Sequence, residues 1–292
     1  MNTFEPLVSV IMTSYNREKY IAEAIESVLA STYKNFELII VDDCSIDATF
    51  SIAKNYAAND ARIRIYQNEE NLGDYPNRNK AASYAKGKYL KYVDSDDALY
   101  DFGLAYCVDA MERFSEADLG MYYLYGSDGI GKNEWACWPG EKIIHEHFFK
   151  RQYLSIGPSG TIIRREKFVN AGGFDTRFGV ASDMYFNICF ASASPIVLLP
   201  KLFVHYRIHD QQENKNQEGY LKYGYLYFKE LLEKVELPLS AKEKKYLFRK
   251  MQKRHSVNLT KYWWSTKDSS SVKRVMKGTE FSFYNYLFGF FK

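Results

Sequence analysis

The chain has 292 residues, room for one large α/β domain with an appendage, and its net charge of +3 is too small to make nucleic acid the main partner. Four cysteines, Cys44, Cys107, Cys137 and Cys189, are scattered without a CxxC pair, which argues against a zinc site and against a disulfide scaffold and points to a reducing compartment. No secretory leader is expected at the N-terminus, and no stretch of about 18 apolar residues is available to span a membrane.

The first hundred residues alternate strand and helix signals with short connections. Leu7 to Met12 reads as a strand, followed by Ile21, Ala24, Ile25, Val28 and Leu29 at helical spacing. Phe36 to Val41 is a second strand ending in Asp42-Asp43, after which Ser45 is positioned to cap a helix carrying Ala48, Ile52, Ala53 and Tyr56. Ile63 to Tyr66 is a third strand. Asn71-Leu72-Gly73 turns into a helix through Ala81, Ala82 and Ala85, which Gly87 is expected to end. Strands separated by helices of this length predict right-handed crossovers and a mostly parallel sheet with helices on both faces.

Lys88 to Val93 is a buried-type strand that stops in three acids within four positions, Asp94, Asp96 and Asp97. Carboxylates this close repel one another and invite a cation, and hard oxygen ligands select Mg²⁺ or Mn²⁺. The plainer alternative is a solvated acidic turn that caps the next helix. Thr13-Ser14-Tyr15-Asn16 and Asp42-Asp43 also follow strands, so three strands finish in polar residues at the edge where open α/β sheets bind ligands.

From about Asp101 to His209 the pattern is mixed. A helix through Leu104, Val108 and Met111 leads to a strand over residues 119–125. Residues 126–140 read as a Gly-containing surface loop or hairpin that leaves Trp135 and Trp138 free for stacking. Gly157-Pro158-Ser159-Gly160, a short strand at Thr161-Ile162-Ile163 and a helix opened by Arg165-Glu166 follow. Beyond Gln211 only helices are expected, and the last twenty residues place Lys273, Arg274 and Lys277 among aromatic side chains.

The ordered motifs Val8 to Arg17, Ser27-Val28-Leu29 with Thr32-Tyr33, Phe36 to Ser45, Asn71-Leu72-Gly73, Arg78-Asn79, Asp94 to Asp97, Gly172 to Asp175, Ser182-Asp183 and Tyr206 to His209 resemble family 2 glycosyltransferases over about the first 210 residues. The sequence departs from the family in two places. Cys44 stands where the family often has glycine, and Ser182 where an acid often precedes the catalytic aspartate.

The resemblance implies a GT-A catalytic domain over 1–210, inversion at the sugar carbon, and a divalent metal, Mg²⁺ or Mn²⁺, while composition and helical periodicity make 211–292 a helical extension outside it. The donor it implies is a nucleotide diphosphate sugar, UDP-linked, with a glycan or lipid-linked acceptor in surface polysaccharide synthesis. Asp43 is then the acceptor for a base N–H, flanked by Thr13 and Tyr15; Arg78 and Asp94 serve the nucleotide; Asp96, Asp97 and His209 face the metal; Asp183 is the general base. Each has a plainer role. Asp43 caps a helix, Arg78 lies on a helix surface, Asp183 favours a helix dipole, and His209 is a satisfied structural histidine.

The basic, aromatic C-terminus is expected to lie on a membrane interface at the inner face of a cytoplasmic location, or to pack against the catalytic domain or a second subunit in a homodimer. Two other readings stay open on sequence alone: a sugar nucleotidyltransferase of related fold, and a nucleotide-sugar-binding protein without catalysis. A glycoside hydrolase using two carboxylates is a further rival.

Overall fold

The computed structural model describes residues 5–123, 134–209 and 216–289. The chain runs β1 (Val8–Ser14), α1 (Ile21–Leu29), β2 (Phe36–Asp42), α2 (Thr49–Asn59), β3 (Ile63–Gln67), α3 (Asp74–Ser83), β4 (Tyr89–Tyr92) and β5 (Ala98–Leu99). It continues through α4 (Gly103–Arg113), β6 (Leu119–Tyr122), β7 (Ala136–Trp138), α5 (Gly140–Phe149), β8 (Thr161–Arg164), α6 (Arg165–Asn170), α7 (Ser182–Ala193), β9 (Ile196–Leu199) and β10 (Val204–His205). Four helices close it: α8 (Gln217–Lys234), α9 (Ala241–Thr266), α10 (Ser269–Gly278) and α11 (Phe283–Gly289).

Among the described residues the main sheet has eight strands in the order β3-β2-β1-β4-β8-β6-β9-β7. The first four are parallel, as the alternation of strand and helix predicts. In β1, Val8, Val10 and Met12 face α1, α2 and α4 while Ile11 faces the helices on the other side, so the strand is apolar throughout because both of its faces are covered. Burial of each such side chain contributes about 1.5–3 kcal/mol.

The chain steps outward from β1 to β2 and β3 and then returns to β4 on the other side of β1. That reversal opens a crevice at the carboxyl ends of β1 and β4. Register aligns the polar ends. Ser14 lies opposite Asp42, and the Val93 amide donates to Ile11 O at 2.9 Å, carrying the Asp94 turn up beside the end of β1.

Gly87 does not end α3, which closes at Ser83. A Cβ at Gly87 would meet Ser9 N at 2.6 Å and Leu7 O at 2.7 Å, so the glycine is there for close passage along β1. The 126–140 segment is also corrected in part: Ala136–Trp138 is the edge strand of the main sheet, and Trp138 is buried edge-on against Tyr153 rather than free. Trp135 packs on Tyr106. The remainder of that segment, 126–133, lies outside the described residues, as do residues 124–125 of the predicted strand and 210–215. Leu231, Leu232 and Leu247 of α8 and α9 join the same apolar cluster as β1 and β2, so the C-terminal helices share the core of the sheet.

Candidate functional site

The β2 end is built by Asp42 and Asp43, which do different work. Asp42 is wholly buried and accepts from the Ser45 amide at 2.9 Å, the Ser45 hydroxyl at 2.5 Å and the Ser14 hydroxyl at 3.2 Å. Ser45 is therefore tied to Asp42 and does not cap α2; the Thr49 amide at that helix start is taken by Asp47 Oδ1. Cys44 adopts φ +63, so the turn reaches the left-handed region without glycine. Asn16, also left-handed, receives the Ile46 amide and gives its own to Ser45 Oγ, which stitches the β1 and β2 loops together.

Asp43 points the other way. Oδ1 accepts from Asn68 Nδ2 at 2.7 Å and the Leu72 amide at 2.9 Å, and Oδ2 accepts the Gly73 amide at 2.9 Å. Gly73 sits at φ +86, a conformation that favours glycine, so the Asn-Leu-Gly turn exists to wrap this carboxylate. With two lone pairs on each oxygen, Oδ2 retains room for one more donor. Thr13 is half-buried at the end of β1, and the Tyr15 ring is exposed beyond it.

The turn also launches α3, which delivers Arg78 into the crevice. Its Nε is 2.7 Å from Asp74 Oδ1 and its Nη1 2.7 Å from Asp94 Oδ1, and the guanidinium stands over the Tyr75 and Tyr92 rings. Arg78 is thus no helix-surface residue. Burial pushes the Asp94 carboxyl upward, but the Arg78 charge and the hydrogen bonds to it hold it below the usual aspartate value.

In the acidic turn, Asp96 Oδ2 receives Arg17 Nε at 2.8 Å and lies 2.9 Å from His209 Nε2. Asp97 Oδ1 accepts the Arg207 amide at 3.0 Å, whereas Oδ2 is buried with no hydrogen-bond donor among the described residues. Burial first, then the charges of Asp94 and Asp96, raise Asp97 to about 7. His209 stacks on Tyr20 at 4.7 Å. It reaches the turn because β10 pairs antiparallel with β5, laying Val204 opposite Leu99.

Among the described residues no three His, Cys, Asp or Glu side chains are gathered into a metal cage. Mg²⁺ and Mn²⁺ do not need one, since substrate phosphates and water complete their shells around one or two carboxylates. An orphaned buried carboxylate oxygen with a raised pKa, beside a second acid and an imidazole, fits such an ion.

Asp183 stands in the first turn of α7, largely buried. Its Oδ1 accepts the Met184 amide at 2.7 Å, and the Tyr75 phenol acts on the same carboxyl. Burial raises it to about 6 despite these contacts and the nearby Arg78 charge. Tyr75, one turn before Arg78 on α3, therefore links Asp183 to the Arg78–Asp94 pair. Asp43 joins the same side-chain network through the Gly73 turn. The candidate acids thus converge on one rim.

The sequence reading passed over Lys91, although a lysine in the middle of an otherwise apolar strand is the available signal. It is wholly buried and donates to Tyr92 O and Ser159 O, each at 2.5 Å, while the Ser159 hydroxyl accepts the Asp94 amide. Lys91 so ties the Pro158–Gly160 turn to the acidic strand end. Burial lowers it to about 8, against an ordinary 10.5. The unfolded chain then binds more protons between these values, and stability rises with pH across that window, by up to about 3 kcal/mol. Urea midpoints of wild type and Lys91→Met from pH 7 to 10.5 are expected to show this rise in the wild type alone; parallel curves would exclude it.

A half-parallel sheet with its reversal at β1/β4, an acidic turn at that point and a buried acid across the crevice define the GT-A class of nucleotide-sugar folds. Residues 9–170 match the pattern of glycosyl transferase family 2. An uncharacterized glycosyltransferase of Methanocaldococcus jannaschii is 33% identical over 223 residues, 74% of each chain. The chain belongs to glycosyl transferase family 2. It is also 39% identical over 146 residues to the putative teichuronic acid biosynthesis glycosyltransferase TuaG of Bacillus subtilis, half of this chain and 55% of that one. Among solved structures, S. aureus TarS 1-349 in complex with UDP superposes with a TM-score of 0.70 at 22% identity, over 97% of this chain and 80% of that one. The mannosyltransferase PcManGT of Pyrobaculum calidifontis, in complex with GDP-Man and Mn²⁺, superposes at 0.64 and 15% identity, covering 99% and 84%.

Proposed function

We propose that this chain transfers a sugar from a UDP-linked donor to a hydroxyl of a glycan or lipid-linked acceptor, with inversion, in the synthesis of a surface polysaccharide. The observation that carries the reading is a pair of carboxylates on one rim, joined through Asp94, Arg78 and Tyr75, that burial raises, Asp97 to about 7 and Asp183 to about 6. Asp43 takes a base N–H on its spare lone pair, with Thr13 and Tyr15 beside the nucleotide. Arg78 keeps Asp94 ionised for the nucleotide. Asp96 and Asp97, with His209, would hold Mg²⁺ or Mn²⁺, which supplies Lewis-acid stabilisation of the departing nucleoside diphosphate. Asp183 takes the acceptor's proton as its oxygen attacks the sugar from the face opposite the leaving group.

The UDP and GDP-Man with Mn²⁺ held by the structural neighbours support a nucleotide donor and a divalent ion, and the TuaG likeness supports a surface glycan. The division into a catalytic domain over 1–210 and an extension over 211–292 is part of this proposal. Among the described residues no helix is long and apolar enough to cross a membrane. Exposed Trp264, Phe283, Tyr284 and Leu287 near Lys267, Lys273 and Lys277 support contact with a membrane interface instead.

Calorimetric titration of UDP with and without Mn²⁺ tests the assignment. Asp97→Ala is expected to lose at least tenfold of the Mn²⁺-dependent affinity while Asp183→Asn keeps it; equal loss in both variants would contradict the roles given.

A further inference from the structure

A cavity of about 710 Å³ opens between α5, α8 and α9, in the size range of small-ligand sites. Met184 lines it, and the amide of that residue is the one that Asp183 accepts. Tyr227 lines it too, and its phenol responds to the charges of both Arg254 and Asp183. The cavity therefore has the residue next to Asp183 in its wall and runs from there along α9.

Its walls are of two kinds. Phe148 and Phe228, stacked at 5.4 Å, and tyrosines of α8 make an aromatic side. Lys250, Arg254 and Lys261 make a cationic one, at spacings of four and seven residues that keep them on one face of α9 and spread them over about 16 Å. All three are exposed, and no acid pairs with any of them among the described residues. The helix holds eight Lys and Arg against one Glu, and that Glu243 is spent in the capping box at Ser240. A chain of net charge +3 has concentrated its positive charge here. Like charges held in a row without counter-ions attract an anionic partner.

We propose that this cleft binds the acceptor and that the acceptor is an anionic glycan, with sugar faces on the aromatic wall and carboxylate or phosphate groups on Lys250, Arg254 and Lys261. The inference rests on the glycosyltransferase reading, since it is Asp183 as base that calls for a hydroxyl-bearing chain at this end. A neutral glycan would leave the three cations unmatched. A lipid headgroup would meet the cations but leave the aromatic wall unused.

The test is direct binding to the full chain, with oligogalacturonate and poly(glycerol phosphate) as anionic probes and malto-oligosaccharide as the neutral one. At least one anionic probe is expected to bind tenfold or more tighter than the neutral one, and to weaken at least tenfold in Lys250→Ala/Arg254→Ala/Lys261→Ala. Lys242→Ala/Lys253→Ala, which removes exposed charge from the same helix away from the cavity, is expected to weaken it less than twofold. Equal loss in the two sets of variants, equal binding of neutral and anionic probes, or capture of phosphatidylglycerol vesicles with no glycan binding would each overturn the proposal. UDP titration with Mn²⁺ runs alongside. Absence of UDP binding in the wild type would remove the glycosyltransferase reading itself, whereas UDP binding without anion selectivity removes the cleft assignment alone.

Discussion

Asp183→Asn is expected to lower sugar transfer at least a hundredfold and, at the same time, to raise the thermal midpoint at pH 7.5 by about 2–4 °C. The two effects have one cause. The folded chain holds the Asp183 proton up to about pH 6, while the unfolded chain releases it near 3.8. Between those values the folded state binds more protons, so stability falls as pH rises, and above pH 6 the full cost of an ionised buried carboxylate is present. An amide keeps the hydrogen bond from the Met184 amide and carries no charge, which returns on the order of 1–2 kcal/mol. Scanning calorimetry at pH 4.5 is expected to show the advantage reduced to about a third. In the wild type, kcat/KM should fall with unit slope below about pH 6. A variant less stable than wild type at pH 7.5, or one that still transfers sugar, would remove Asp183 from the base role.

Arg78→Met should destabilise the fold by about 3 kcal/mol at pH 7, the cost of stripping the counter-charge from a buried pair. Its guanidinium spans Asp74 and Asp94, each at 2.7 Å, and among the described residues the other cation acting on Asp94 is the buried Lys91. Arg78→Lys recovers only part of the loss, because one ammonium cannot bridge two carboxylates in that planar geometry. Asp94 has a lowered folded pKa, so its contribution is present above the unfolded value near 3.8 and is lost as pH falls through the folded one. The gap between wild type and Arg78→Met in urea should therefore narrow below about pH 4. A gap under about 1 kcal/mol at pH 7, or one indifferent to pH, would show that the pair does not hold the rim together.

Hydrophobic period and turn residues made β1 to β4 and their polar ends legible, because burial on both faces of a parallel sheet writes continuous apolar runs into the chain. The same local signals misassigned Ser45, Gly87 and Trp138. A serine after a strand looks alike whether it caps a helix or ties down Asp42, and a glycine looks alike whether it turns the chain or lets β1 pass. Lys91 was hidden because its partners, Tyr92 O and Ser159 O, are backbone atoms that carry no residue signature, one of them 68 positions away.

By itself, then, the sequence determined the parallel half-sheet, the carboxyl edge on which Asp43, Asp94, Asp96 and Asp97 gather, and the family. Tertiary structure alone decided which acid is free to receive what. The β5–β10 pairing carries His209 to Asp96 and the Arg207 amide to Asp97, α3 brings Arg78 to Asp94 and Tyr75 to Asp183, and the packing of α9 on α8 turns a basic helix into one wall of a cleft. The reason is physical. Periodicity records whether a side chain is buried, but the charge it bears there depends on neighbours brought from far along the chain, and those are set only when the sheet and helices close.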